Sequence, residues 1–446
     1  MGHCALSLSP DGRFSAVTVF VGCGFAAKYP EGGGNFSVPL QWMLGLRRLG
    51  LDAVWLELLP ATADPREDES RIRKFQRLLR QHGLGNSYCL LHQAPANDLH
   101  EAGEMRCIGL SRADLLRRLA GPNTLLNLSY SFHPPFLLQF ERRILCDLDP
   151  SEIFYWMTKM EMGQSHHHEF WTIGLNVGGS DCQLPPEAAS PPVAASPPVA
   201  ASLCEAPGSS GSSKSNPAPP ARLRRTSAWQ AGRRLQKRLQ WKTFYPLADT
   251  ELLQSQPRPR SDKFCTIGQW YWGGGVEVAG KFPDLSKKFA FEPYLDLPSR
   301  VPAAQFELAM NLNSDDPEIE RLRKQGWRVV SPHRVARTPL AYRSYIAGAT
   351  AEFTAIKGVD VAWRTGWLSD RAAAFLALGR PVITEDTGAD KYLPRESGFR
   401  FVRDLETAEA AVKEVRADWA RLSRQARACA VETFDSAKNL RKILGI

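Results

Sequence analysis

Apolar residues along this chain fall into short β-rich runs separated by stretches of helical spacing, and the two kinds alternate. Residues 14–21 are β-branched and aromatic, a first buried strand. A glycine-rich turn follows, Tyr29-Pro30-Glu31-Gly32-Gly33-Gly34-Asn35, and then Leu40, Met43, Leu44 and Leu46 recur at helical spacing before Gly50. Residues 53–58 make the second strand. Strand, glycine loop, helix and strand open a doubly wound sheet, and glycines in such a loop let the backbone approach a ligand. The spacing is not Gly-x-Gly-x-x-Gly and no Walker lysine follows, so a plain tight turn is an equal reading.

The alternation continues with helices at 68–82 and 111–119, the second capped by Ser111, and a strand at 87–92. Strands at 124–129, 143–148 and 170–175 empty into Ser131-Phe132-His133-Pro134-Pro135, Asp149-Pro150-Ser151 and Asn176-Val177-Gly178-Gly179. Such alternation implies parallel pairing through right-handed crossovers. The first half therefore reads as one Rossmann-like domain, residues 13–182.

At Pro185 the pattern breaks. Ala188-Ala189-Ser190-Pro191-Pro192-Val193 repeats at once, and a Gly/Ser tract follows at 208–213. This composition cannot bury enough apolar surface to offset the entropy of ordering, so disorder is expected across 185–226. From Arg222 to Lys242 the chain is basic, with Trp229, Leu235, Leu239 and Trp241 at near-helical spacing. A short helix packed on its neighbour is the favoured reading, and contact with an acidic partner or a membrane surface the other. The insert spans 183–261.

The second half, 262–430, restarts the pattern. Residues 263–267 are a strand whose loop is Gly268-Gln269-Trp270-Tyr271-Trp272-Gly273-Gly274-Gly275. Strands at 306–312 and 327–331 flank a helix at 316–324; 342–346 is helical and 352–356 extended. Val359-Asp360-Val361-Ala362-Trp363-Arg364 alternates like a strand. Ser369 then stands as an N-cap with Asp370 in the first turn, and a small apolar helix runs from Ala372 to Gly379. A buried strand at 382–384 opens into Glu385-Asp386-Thr387-Gly388. Helices at 405–415 and 418–433 precede a tail, 431–446.

The run Leu376-Ala377-Leu378-Gly379-Arg380-Pro381-Val382-Ile383 followed by Asp386-Thr387-Gly388 resembles the nucleotide-sugar half of GT-B glycosyltransferases. Arg364-Thr365-Gly366-Trp367-Leu368-Ser369-Asp370-Arg371 narrows the resemblance to a bacterial glycosyltransferase group, family 1/4-like. The resemblance implies an α/β fold of two Rossmann-like domains facing across a cleft. It implies transfer of a sugar from a nucleotide-diphosphate donor to an acceptor the sequence does not name. It also implies that the first glycine loop lies in that cleft and that the last helix crosses back to the first domain. One position departs: where the retaining GT-B pattern has a ribose-binding glutamate, this chain has Ala374. Ser369 and Asp370 take over that role, or the nucleotide is held differently, or donor binding is lost. A sugar-nucleotide epimerase and a catalytically silent binding protein on the same fold are the other readings.

Charge changes the picture little. Of the net +9, most sits between Gln183 and Arg260, where eleven Lys or Arg face four Asp or Glu. The nine cysteines are scattered without Cys-x-x-Cys spacing and read as reduced thiols. No run is long and apolar enough to span a bilayer, and the first residues lack signal-peptide character, so a cytoplasmic location is expected.

Sugar transfer from such a donor needs a stabilised diphosphate, a placed acceptor and, for inversion, a base. The candidate cations are Arg364, Lys357 and Arg371, with Lys281, Lys287 and Lys288 behind them. The base candidates are His133 and Asp149, each after the carboxyl end of a strand, and then Asp147. Donor contacts are expected from Gly32, Gly33, Gly34, Asn35, Gly268, Gln269, Lys357, Arg364, Ser369, Asp370, Glu385, Asp386, Thr387 and Gly388. No cofactor beyond the donor and no metal is expected. Consecutive His166, His167 and His168 cannot all point at one ion.

Overall fold

The computed structural model describes residues 17–93, 105–184, 239–272 and 286–446. The Pro/Ala/Ser repeats, the basic run with Trp229 and Leu235, Gly273 to Gly275, and Lys281 lie outside the described residues. So does the acidic or membrane partner expected of that run.

Two parallel sheets organise the chain. The first takes β1 (Thr18–Cys23), β2 (Asp52–Pro60), β3 (Tyr88–Gln93), β4 (Arg106–Gly109), β5 (Asn123–Leu128), β6 (Arg142–Asp147), β7 (Glu169–Thr172) and β8 (Trp241–Thr243). Their order is β4-β3-β2-β1-β5-β6-β7-β8, parallel except where β4 pairs antiparallel with β3. The second takes β9 (Lys263–Gln269), β10 (Gln305–Asn311), β11 (Arg328–Val330), β12 (Ala351–Thr354), β13 (Val382–Glu385) and β14 (Phe399–Val402), in the order β11-β10-β9-β12-β13-β14 and wholly parallel. Strand order reverses beside β1 and beside β9, and ligands of such sheets enter outside the carboxyl ends at those points. This is the α/β class with two Rossmann-like bodies that the resemblance implied.

The strands form because helices cover both faces. All six residues of β1 are buried, as are all six of β5. The covering helices show one apolar side: Pro65–Gln81 buries Ile72, Phe75, Leu78 and Leu79, and Asp64 caps it by accepting from the Arg66 amide.

Two local expectations are corrected. Val359 to Trp363 belongs to a helix, Gly358–Trp363, and Arg364 ends it in the left-handed region at φ 51°. Val359, Asp360 and Trp363 are its buried side, and Val359 and Trp363 pack with Tyr155 of the first body. One helical turn against that neighbour outweighs the alternation of Val359, Val361 and Trp363. Trp241, expected at the end of a helix, starts β8, which extends the first sheet beside β7.

After Leu405–Ala417 and Trp419–Cys429, a last helix, Ser436–Leu444, lies against Gly33–Arg48 of the first body. The approach is close: a Cβ on Gly45 would stand 2.6 Å from Leu440. Arg142 of β6 donates to the carbonyl of Leu444 at 2.9 Å.

Candidate active site

The carboxyl edge of the second sheet gathers β9, β12 and β13. Arg371, in the first turn of the Asp370–Ala377 helix, passes beneath it. Its Nε pairs with the fully buried Glu352, Nη1 donates to the Ile267 carbonyl at 2.6 Å, and Nη2 to Thr354 Oγ1 at 3.2 Å. Lys287 lies across the ends of the strands, donating to the Ala355 carbonyl at 2.6 Å and to Thr354 Oγ1 at 3.4 Å. Gly268 leaves room for it, because a Cβ there would be 3.2 Å from the lysine Cε. Among the described residues Lys287 has no carboxylate within ion-pair distance. Burial, and then the Arg371 guanidinium, pull its ammonium down to about 7. Glu385 closes the edge, accepting from the Ile356 amide at 2.7 Å and from Tyr294 at 3.1 Å; burial raises its carboxyl. Gln269 ends β9 exposed.

Lys357 follows β12 and crosses to the first body. Its Nζ stands 2.5 Å from Asp149 and 2.9 Å from Glu152, on the start of the Pro150–Lys159 helix. Trp272 lies 4.6 Å under the ammonium and donates its indole N–H to Glu152 at 2.6 Å. Burial works against the lysine charge, and Asp149, Glu152 and Asp360 overcome it, holding Lys357 above the ordinary lysine value. Asp360 is buried on hydrogen bonds from Thr365 and Ser151 and is pushed by burial to about 7. Asp147 sits below Asp149, bonded to Thr172 Oγ1 at 2.6 Å and to the Asp149 amide at 2.8 Å, and burial pushes it to about 8. Glu152 was not among the expected residues. Its one signal in sequence is a carboxylate in the first turn after Asp149-Pro150.

A second contact between the bodies covers the turn that begins at Arg364. Arg364 pairs with Asp181 at 3.1 Å and Asp386 at 3.5 Å, and Lys391 also pairs with Asp181. The amides of Asn176 and Gln183 donate to the carbonyls of Thr365 and Trp363 at 3.0 and 2.7 Å. Gly366, at φ 75°, touches Asn176 so closely that a Cβ would lie 2.3 Å from its nitrogen. Thr387 is buried, donating to the Trp367 carbonyl and accepting from the Gly366 amide; Asp386 accepts from the Gly388 amide at 2.7 Å. Ser369 caps its helix, accepting from the Ala372 amide at 3.0 Å.

Of the remaining expected residues, Gly33, Gly34 and Asp370 lie elsewhere on the seam between the bodies. Gly33 is approached by backbone rather than left open: its amide donates to the Ala336 carbonyl, and a Cβ would stand 2.3 Å from the Thr338 oxygen. Gly34, Asp370, Ala374, Gln41 and Tyr342 line one cavity of about 50 Å³, where burial pushes Asp370 to about 6. Gly32 and Asn35 flank that start of the Gly33–Arg48 helix, outside it and in its first turn. His133 follows β5, beside β6 with Asp149, and its ring stands 4.2 Å from Tyr130. Ser129 and Tyr130 before it both take positive φ, a conformation that costs energy in non-glycine residues. His167 is buried on Asn127 and the Gly163 carbonyl, and burial pulls it down to about 3; His168 is tied to Arg143.

No family model matches this chain, and no curated protein matches it. Solved structures similar to it include an alpha-glucosyltransferase in complex with UDP and a 13-mer DNA, with TM-score 0.47 and 9% identity over 96% of this chain and 99% of that one. Anabaena HepE in complex with UDP-glucose gives TM-score 0.48 and 11% identity over 96% and 98%. Sucrose-phosphate synthase from Thermosynechococcus elongatus gives 0.39 and 11% over 96% and 98%. Likeness at this level leaves the chemistry to this chain's own residues. Among the described residues no helix is long and apolar enough to cross a membrane.

Proposed function

We propose that the protein transfers a sugar from a nucleotide-diphosphate donor to an acceptor hydroxyl. One observation carries the reading. Lys287, without a carboxylate partner among the described residues, lies across the carboxyl edge of a wholly parallel sheet at its switch point, beside Arg371. A cation in that place suits an anionic ligand, and a diphosphate is the anionic part of such a donor. In this reading Lys287 takes a diphosphate oxygen and Arg371 fixes the strand ends through Glu352 and Ile267. Glu385 or Asp370 accepts from the ribose. The acceptor oxygen bonds to the anomeric carbon as the bond to the diphosphate breaks, and the diphosphate leaves with that electron pair. Asp149 or His133 takes the acceptor proton. Neither a metal nor a cofactor enters the scheme.

The silent-binding reading is favoured by two features: Ala374 lines a small apolar cavity, and the 174–183 loop covers the turn at 363–366. Mass spectrometry on the full chain with UDP-, GDP- and ADP-glucose, with and without EDTA, separates the two. Transfer or slow hydrolysis of one donor, unchanged by EDTA, is expected. Binding without turnover would leave only the silent protein, and loss with EDTA restored by manganese would reject the metal-free scheme.

A further inference from the structure

We propose that Asp149 and Glu152 are internal stand-ins for the donor diphosphate, holding Lys357 across the seam until a diphosphate takes it. This rests on reading the second body's edge as a diphosphate site. Lys357 belongs to that edge: it follows β12 by three residues, and Lys287 is bonded to the Thr354–Ala355 stretch just before it. The two lysines are close enough that Lys357 contributes to lowering Lys287. Yet the Lys357 ammonium turns from its own body to two carboxylates of the other, at 2.5 and 2.9 Å, with only 17% of its side chain exposed. Two oxygens close to one lysine, on acidic groups held by a helix start, present what two phosphate oxygens would present.

The arrangement is strained in charge. Asp149 and Glu152 of the first body face Asp360 of the second, and one lysine serves all three. If a diphosphate draws Lys357 away, Asp149 and Glu152 lose the one charge that ties the first body to the second, which favours parting of the bodies. Loss of Lys357 also frees the carboxylate of Asp149, half-exposed just after β6, to take the acceptor's proton. Donor arrival, seam opening and release of the base become one event.

The amides of Asn176 and Gln183 bond across the same seam, so their hydrogen exchange reports its opening. The test compares wild type, Asp149→Asn/Glu152→Gln and Lys357→Met, each with and without inorganic pyrophosphate and UDP. Exchange of the peptide containing residues 175–183 should quicken about tenfold in wild type on adding either ligand. In both variants it should be that fast without ligand. Pyrophosphate should bind about tenfold tighter than wild type to the double variant and about tenfold weaker to Lys357→Met, since a charge-assisted contact is worth about that much. Opposite shifts in affinity exclude a general loss of structure, which would weaken both. Binding with unchanged exchange, or equal affinity in wild type and the double variant, overturns the stand-in role and leaves the diphosphate site. Failure of all three proteins to bind either ligand overturns both.

Discussion

Lys287 and Lys357 lie at the same edge of the same sheet and have opposite surroundings. Lys287 has neutral partners, a carbonyl and a hydroxyl, and its ammonium is pulled down to about 7 by burial and Arg371. Lys357 has two carboxylates from the other body and is held charged. Among the described residues the first place has no carboxylate within ion-pair distance, with Glu352 and Glu385 acting on it only from further off; the second has two in contact, supplied by the protein. On the proposed reading, an anion binds at Lys287 and the bodies are joined at Lys357. It also explains why cations that look alike in sequence are not equivalent.

The strongest way to break the comparison is to remove the support under Lys287. Arg371→Ala leaves Glu352 buried without a counter-ion and should lower stability by about 3–5 kcal/mol in urea unfolding. Adding Glu352→Gln should restore part of that loss; no recovery would mean Arg371 acts by packing alone.

A pH series examines the acidic side of the joint. Asp147 near 8 and Asp360 near 7 keep protons in the folded state that the unfolded chain releases near pH 4. Through these two groups the folded state binds more protons over that interval, so their contribution to stability falls as pH rises from about 4 to about 8, while His167 and, above 7, Lys287 act in the opposite sense. Asp147→Asn should flatten the upper part of the slope, and a slope unchanged by the substitution would remove Asp147 as its source.

Lys287 gives a proton linkage of the other sign. With its ammonium near 7, anion binding should take up a proton at pH 8, and affinity for pyrophosphate should fall by up to about tenfold per pH unit above 7. Calorimetry in buffers of different ionisation enthalpy measures the uptake, and none at pH 8 would contradict the assignment. The smallest effect concerns the helix beside them. Ser369→Ala removes a cap and should cost about 1 kcal/mol with affinity unchanged.

Much of this architecture is legible in the chain. Strands such as β1 and β5 show as apolar runs because both faces are covered, and Ser369 shows as a cap because its hydroxyl meets an amide three residues on. Contacts that join distant residues are not legible. Gly33 reads as a ligand-facing glycine, and its close neighbours are the carbonyls of Ala336 and Thr338. The helix at 358–363 hides behind an alternating pattern because Tyr155 of the other body decides which side is buried. Glu152 looks like an ordinary helix-start carboxylate until Lys357 is seen beside it. Lys287 is one of three lysines behind the same loop, and only Gly268 and the ends of β12 single it out.

The most direct measurement is isothermal titration of wild type and Lys287→Met with UDP, GDP, ADP and inorganic pyrophosphate at pH 7, with melting temperatures recorded alongside. The account predicts that wild type binds pyrophosphate and at least one of the nucleotides. It further predicts that Lys287→Met weakens both by about tenfold to a hundredfold at an unreduced melting temperature. Equal affinity in the two proteins, or no binding by wild type, would contradict it.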